Sequence, residues 1–122
     1  MNFLFVGVGG ALGAALRYGI SSIPVKTDFP VWTLLINITA AVVIGFFAGL
    51  TVRKNMPEEL RLFVQTGFCG GFSTLSALSL EAYNMNQEGR TLLAGVYCVI
   101  SLAACLAGVW IGEKLALMGA EE

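Results

Sequence analysis

The stretch from Gly67 to Glu81, GFCGGFSTLSALSLE, decides how this chain folds. It places two adjacent glycines, Gly70 and Gly71, and four hydroxyl side chains inside an apolar run from about residue 60 to residue 84. A bare peptide group in the core of a bilayer finds no water, so non-helical backbone persists there only where it lines a cavity or binds an ion. The stretch therefore predicts a membrane helix that is broken at the glycine pair.

The composition of the whole chain places this segment in a membrane. The 122 residues are 57% hydrophobic and 12% charged, and the mean hydropathy is +0.79, a profile typical of membrane proteins. Four apolar runs, at about 3–23, 31–52, 60–84 and 91–115, have the length of roughly 20 residues that a spanning helix needs. We expect an all-α membrane protein with four transmembrane helices forming one domain over residues 1–122, multi-pass in the inner or plasma membrane.

The basic residues are distributed almost evenly between the two ends of these helices. The side that holds both termini and the middle loop has Arg53, Lys54, Arg61 and Lys114; the other side has Arg17, Lys26 and Arg90. The positive-inside rule needs a clear asymmetry to set one orientation. The balance favours dual topology, and an antiparallel homodimer of oppositely inserted copies would close such an arrangement symmetrically.

Each predicted span contains two glycines four residues apart. These are Gly9 and Gly13, Gly45 and Gly49, Gly67 and Gly71, and Gly108 and Gly112. In lipid, small residues one turn apart let helix backbones approach and gain van der Waals contact. The pattern predicts a compact bundle.

The sequence offers little for an enzyme to use. It has no histidine, and Cys69, Cys98 and Cys105 show neither metal-binding nor redox spacing. We expect these cysteines to be buried apolar fillers. Proton-coupled transport would use an ionisable group within a span, and the candidates are Arg17 and Glu81, each near the end of a run.

Most polar groups at membrane depth are instead neutral hydrogen-bonding groups. They are Thr33, Asn37 and Thr39 in the second run, Ser73, Thr74, Ser76 and Ser79 in the third, and Tyr97 and Ser101 in the fourth. A row of amide and hydroxyl donors can replace the water shell of a small anion without trapping it. We expect local hydrogen bonds for Thr39 and Ser79, and a functional role for Asn37. The pattern favours an anion pore.

The predicted break also suits a cation. The last carbonyls of a helix are unpaired and form the negative end of its dipole. Two breaks that meet at a dimer axis would therefore form a small cage of carbonyl oxygens.

Four motifs in order resemble those of one family. The run GFCGGFST at 67–74, followed by Ser76 and Glu81, resembles the third-helix signature of the Fluc, or CrcB, fluoride channels. The other three motifs are Gly9-Gly10-x-x-Gly13-Ala14-x-x-Arg17-Tyr18, Thr33-x-x-x-Asn37 and Tyr97-x-x-x-Ser101.

The resemblance implies an antiparallel dual-topology dimer with two pores, which exports fluoride passively from the cytoplasm. It implies a structural Na⁺ at the dimer centre, bound by the main-chain carbonyls of Gly70 and Ser73. The residues that it places on the ion pathway are Asn37, Thr74, Leu75, Ser76, Leu78, Tyr97 and Ser101, with Arg17 drawing anions toward the mouth.

One departure from the family pattern is serious. The signature continues Thr-Phe-Ser-Thr-Phe, but this chain has Leu75 and Leu78 at the phenylalanine positions and Ala77 in place of a hydroxyl. An aromatic edge carries partial positive charge that favours an anion, and leucine has no such quadrupole. Three explanations are open: conduction through the remaining donors, a heterodimer whose partner supplies the phenylalanines, or a fold that has lost or changed its ion.

Two other functions compete with these. A small four-helix multidrug exporter would match the length, but that class depends on an acidic residue in the first helix, and residues 1–23 have none. A structural or assembly subunit that transports nothing would show no ion flux from the purified chain.

Overall fold

The computed structural model describes residues 2–27, 29–53 and 56–118, so Lys54 of the charge comparison lies outside the described residues. Every regular element in these ranges is helical. The elements are α1 Asn2–Ser21, α2 Val31–Arg53, α3 Glu58–Arg61, a π-helix Leu62–Cys69, α4 Gly70–Phe72, α5 Leu75–Gln87 and α6 Thr91–Met118.

Three of these helices match predicted spans to within a few residues. Within the described ranges, the segments Asn2–Ser21, Val31–Thr51 and Thr91–Met118 are long and apolar enough to cross a membrane. The run predicted at 60–84 is not one helix of that kind, because it is divided among α3, the π-helix, α4 and α5. The described part of the chain is thus an all-helical membrane protein whose third apolar segment is assembled from shorter pieces.

The interruption in this third segment lies later than the sequence predicts. Helical backbone ends at Phe72 and resumes at Leu75, while Ser73 (ψ 157°) and Thr74 (φ −153°) are extended. The predicted break at Gly70-Gly71 is wrong, since both glycines are helical. The helix restarts where Thr74 can cap it: the Thr74 hydroxyl accepts a hydrogen bond from the Ala77 N–H, as an N-cap residue does.

The glycine pairs lie where neighbouring helices pack closely against one another. α1 packs against the π-helix and α4, and α2 packs along α6. A Cβ atom added to Gly13 would collide with the Phe68 carbonyl oxygen, and one added to Gly112 would collide with that of Val42. The other paired glycines also lie against a neighbouring helix, Gly108 less closely than the rest: Gly9, Gly45, Gly49, Gly67, Gly71 and Gly108. The predicted close packing is confirmed.

The core is small and the outer surface is apolar. One cluster joins Ile36 and Ala40 of α2 to Phe72, and another joins Met85 to Ala94 and Tyr97. Many large apolar side chains point outward; Phe3 is 94% exposed and Leu92 is 83% exposed. Such a surface suits surrounding lipid, where apolar side chains need no cover.

Candidate functional site

A groove of about 580 Å³ runs beside the Ser73–Thr74 interruption. It is formed by residues of α2, the π-helix, α4, α5 and α6, and none of its lining side chains is charged. Most of the residues predicted for the ion pathway and the metal site line it. They are Asn37, Gly70, Ser73, Thr74, Leu75, Leu78 and Ser101.

The Asn37 side chain holds the extended backbone of Thr74 from both sides. Asn37 Nδ2 donates to the Thr74 carbonyl oxygen at 3.2 Å, and the Thr74 N–H donates to Asn37 Oδ1 at 2.9 Å. These two bonds satisfy peptide groups that would otherwise be stranded at membrane depth. An amide nitrogen has two hydrogens, so Asn37 keeps one further donor beside the groove.

The same hydrogen bonds release two carbonyl groups from the helical pattern. In a continuous helix the Thr74 N–H would donate to Gly70 and the Ala77 N–H to Ser73. Here they donate to the side chains of Asn37 and Thr74 instead. The carbonyl oxygens of Gly70 and Ser73 therefore lack their helical partners, which is the arrangement expected of a cation site built from main chain. The Ser73 hydroxyl donates to the Cys69 carbonyl oxygen at 2.8 Å.

Ser101 and Tyr97 lie one turn apart on α6 but differ in their partners. Ser101 lines the groove and is 2% exposed, and within the described residues its Oγ makes no hydrogen bond. Tyr97 is fully buried and does not line the groove. Its hydroxyl donates to Glu81 Oε1 at 2.9 Å, and its ring meets Phe29 edge-on with 5.2 Å between centroids.

Glu81 and Thr33 connect Tyr97 to a second cavity, of about 540 Å³. The Thr33 hydroxyl donates to Glu81 Oε2 at 2.8 Å, so each carboxylate oxygen accepts one hydroxyl. Thr33 and Glu81 line this cavity. The sequence analysis gave neither residue a place on the pathway, although an acidic residue inside an apolar run is itself a signal of function in membrane proteins.

Besides Tyr97, two more predicted pathway residues lie away from the groove. Arg17 Nε donates to the Gly71 carbonyl oxygen at 3.2 Å, and Ser76 is exposed, with its Oγ 3.2 Å from Thr74 Oγ1. Neither lines the groove, and their roles stay predictions. The hydroxyls of Thr39 and Ser79 bond back to backbone carbonyls four residues earlier, at 2.8 and 2.9 Å, as expected.

The groove wall near the interruption is aliphatic. Leu75 is 75% exposed and Leu78 is partly buried, and both line the groove. No phenylalanine is among the lining residues in the described part of the chain. Phe72 is buried and stacks on Phe68, with 5.6 Å between ring centroids. Among the described residues, no phenylalanine thus takes the place of the two leucines on the groove wall, although Leu78 packs against the cluster that contains Tyr97.

An apolar helical bundle with an uncharged, largely apolar groove that carries a few amide, hydroxyl and carbonyl groups is typical of a small multi-pass membrane protein of the channel or transporter class. The family described as CrcB-like protein, Camphor Resistance (CrcB), matches residues 4–113, and the chain belongs to this family.

Relatives in several bacteria are similar over nearly their whole length, and those below carry the name "Fluoride-specific ion channel FluC". The relative in Rhodospirillum rubrum is 43% identical, over 97% of this chain and 96% of its own. The relative in Methylocella silvestris is 37% identical, over 96% and 94%. The relative in Rhizobium etli is 42% identical, over 96% and 95%.

Proposed function

We propose that this chain is a fluoride-specific ion channel that lets fluoride leave the cytoplasm passively and so lowers its toxicity. Family membership and the names of the relatives support this function. The observation that carries it is Ser101, which lines an uncharged groove and whose buried Oγ has no hydrogen-bond partner in the described residues. A hydroxyl in that position can donate to an anion that has lost part of its water.

The chemistry of the groove suits an anion that must also leave. The lining offers the spare Nδ2 hydrogen of Asn37 and the hydroxyls of Ser101 and Thr74, and no lysine or arginine. Neutral donors can replace hydration without the deep binding that a fixed cation would cause. Asn37 has a second task, because its hydrogen bonds to Thr74 hold the groove wall in shape.

The cluster of Thr33, Glu81 and Tyr97 extends this route toward the second cavity. Both oxygens of the Glu81 carboxylate are occupied by hydroxyl donors. This arrangement fixes the direction of the Tyr97 hydroxyl one turn from Ser101. In this proposal the Tyr97 hydroxyl turns from Glu81 to donate to an anion that passes from the cavity of Thr33 and Glu81 to Ser101 and the groove.

The functional unit in this proposal is an antiparallel dimer of oppositely inserted copies with the interruption at its centre. Gly70 is exposed, and an added Cβ there would meet no neighbouring atom, so a second copy can approach closely. The freed carbonyls of Gly70 and Ser73 fit a structural Na⁺. When bound, the ion would supply a local positive charge and a link between the copies. The second chain is another copy or a paralogue.

The leucines at 75 and 78 favour a second candidate, a subunit that conducts only when a partner supplies phenylalanine edges, or one that has lost or changed its ion. Fluoride and chloride efflux from vesicles that contain only the purified chain separates these functions. A Leu75→Phe, Leu78→Phe double variant is measured alongside the unaltered chain.

Each result of this experiment has a definite meaning. Rapid efflux of fluoride but not chloride from the unaltered chain supports a homodimeric channel in which aromatic edges are dispensable. No efflux from the unaltered chain, with fluoride efflux from the double variant, supports the heteromeric or inactive subunit. No fluoride efflux from either chain contradicts the proposed function.

A further inference from the structure

We propose that Gln65 is a further anion-binding residue of the groove, a role that rests on the proposed function but is not implied by any of the four family motifs. Gln65 lines the same groove as Asn37 and Ser101. Its Nε2 atom is buried and has no hydrogen-bond partner within the described residues. An amide nitrogen is a donor only, so this group needs an acceptor that the described chain does not provide.

The local backbone explains why Gln65 faces the groove. Gln65 lies in the π-helix Leu62–Cys69, whose i to i+5 hydrogen bonds bring residues four and five apart onto one side. Cys69 and Gly70, four and five residues after Gln65, line the groove with it. Helices of this type are rare and often occur at functional sites. The unusual helix thus gives the groove an amide donor at a position that an α-helix would orient differently.

The surroundings of Gln65 favour an anion as the missing acceptor. The groove has no carboxylate among its lining residues, so no full negative charge in its wall repels an anion. Gln65 and Ser101 both line this space, and their buried Nε2 and Oγ atoms have no partners in the described residues. A polar group removed from water is retained at a cost unless something bonds to it. A partly dehydrated small anion that moves along the groove could accept from each group in turn.

The first part of the test compares two glutamines in fluoride efflux from vesicles. Gln65→Met keeps the length of the side chain and removes the donor. Gln87→Met makes the same change at an exposed position outside the groove, at the end of α5. Loss of a hydrogen bond to a charged partner predicts a fall in efflux of about tenfold for Gln65→Met and none for Gln87→Met. Equal efflux from the two variants would overturn the proposal.

The second part measures binding without flux and includes a structural control. The chain has two glutamines, Gln65 and Gln87. When only glutamine side chains carry ¹⁵N, its NMR spectrum shows two side-chain amide nitrogens, and the two variants identify which signal belongs to which residue. Fluoride, but not gluconate, is expected to shift the Gln65 signal and leave the Gln87 signal in place. A Gln65 signal that ignores fluoride overturns the proposal whatever the efflux shows. If the unaltered chain passes no fluoride, the proposed function fails, and this titration alone decides whether Gln65 binds the anion.

Thermal unfolding and the fraction of dimer show whether Gln65 instead has a structural role, as a hydrogen-bond donor to a second copy. If Gln65 donates to a second copy, Gln65→Met will lower the melting temperature or release monomer, and either result overturns the proposal. If the amide has no protein partner, the variant will remain as stable and as dimeric as the Gln87→Met control.

Discussion

Replacing Asn37 by Ala is expected to abolish fluoride flux by releasing the extended backbone at Thr74. The change removes two hydrogen bonds, of 2.9 and 3.2 Å, and leaves both the N–H and the carbonyl of Thr74 without a partner. An orphaned buried group costs about 1 to 3 kcal/mol, and water that enters the groove replaces part of this loss. The observed arrangement should become about 2 to 4 kcal/mol less favourable.

The effect on flux follows from that loss. Each 1.4 kcal/mol is about a factor of ten in population, so the conducting arrangement should become at least about tenfold rarer than in the unaltered chain. Fluoride efflux from vesicles measures this directly, and chromatography of the purified variant checks that its oligomeric state matches that of the unaltered chain. Thr39→Val is the matched control, since the Thr39 hydroxyl bonds only to its own helix. Unaltered flux from the Asn37 variant would show that its hydrogen bonds to Thr74 are not needed for conduction. It would also remove Asn37 from the pathway.

Two further substitutions test the packing and the polar cluster. Gly112→Ala places a Cβ against the α2 backbone and should lower the free energy of unfolding by about 1 to 3 kcal/mol. On the same helix, the added Cβ of Gly95→Ala meets no atom, so this control should not destabilise the protein. Equal melting temperatures for the two variants would contradict the described packing. Tyr97→Phe removes a hydrogen-bond donor to Glu81 and should slow fluoride efflux. Tyr83 is exposed, and Tyr83→Phe should leave efflux unchanged. Full efflux from the Tyr97 variant would show that its hydroxyl is not part of the pathway.

The long helices could be predicted from sequence because apolar length alone sets them. The runs at 31–52 and 91–115 correspond to Val31–Arg53 and Thr91–Met118, within a few residues. The position of the interruption could not be read in this way. Glycines permit non-helical backbone but do not require it, and Gly71 serves instead to let α4 approach α1. The interruption is fixed by hydrogen bonds between Thr74 and Asn37. Asn37 lies 37 residues earlier in the chain, so the local sequence around Thr74 does not reveal this contact.

The site was predictable to the extent that family motifs mark it. Asn37, Ser101 and the residues beside the interruption do lie together around the groove. The bonds of Glu81 to Thr33 and Tyr97 depend on how α2, α5 and α6 meet, which the sequence analysis did not resolve. Gln65 was missed although an amide inside an apolar run is the same signal that marked Asn37. Only its place on the groove wall, within the π-helix, needed the structure.

The central claim, that fluoride crosses this protein passively and selectively, is tested most directly by an electrical measurement. The purified chain alone is placed in a planar bilayer with sodium fluoride on one side and an equal concentration of sodium chloride on the other. We expect a current that reverses sign with voltage, at a potential displaced far from zero in the direction that opposes fluoride flow. A reversal potential near zero would show that chloride passes as readily, and no current would show that this chain alone is not a channel. Either result would contradict the claim that this chain by itself forms a fluoride-selective channel.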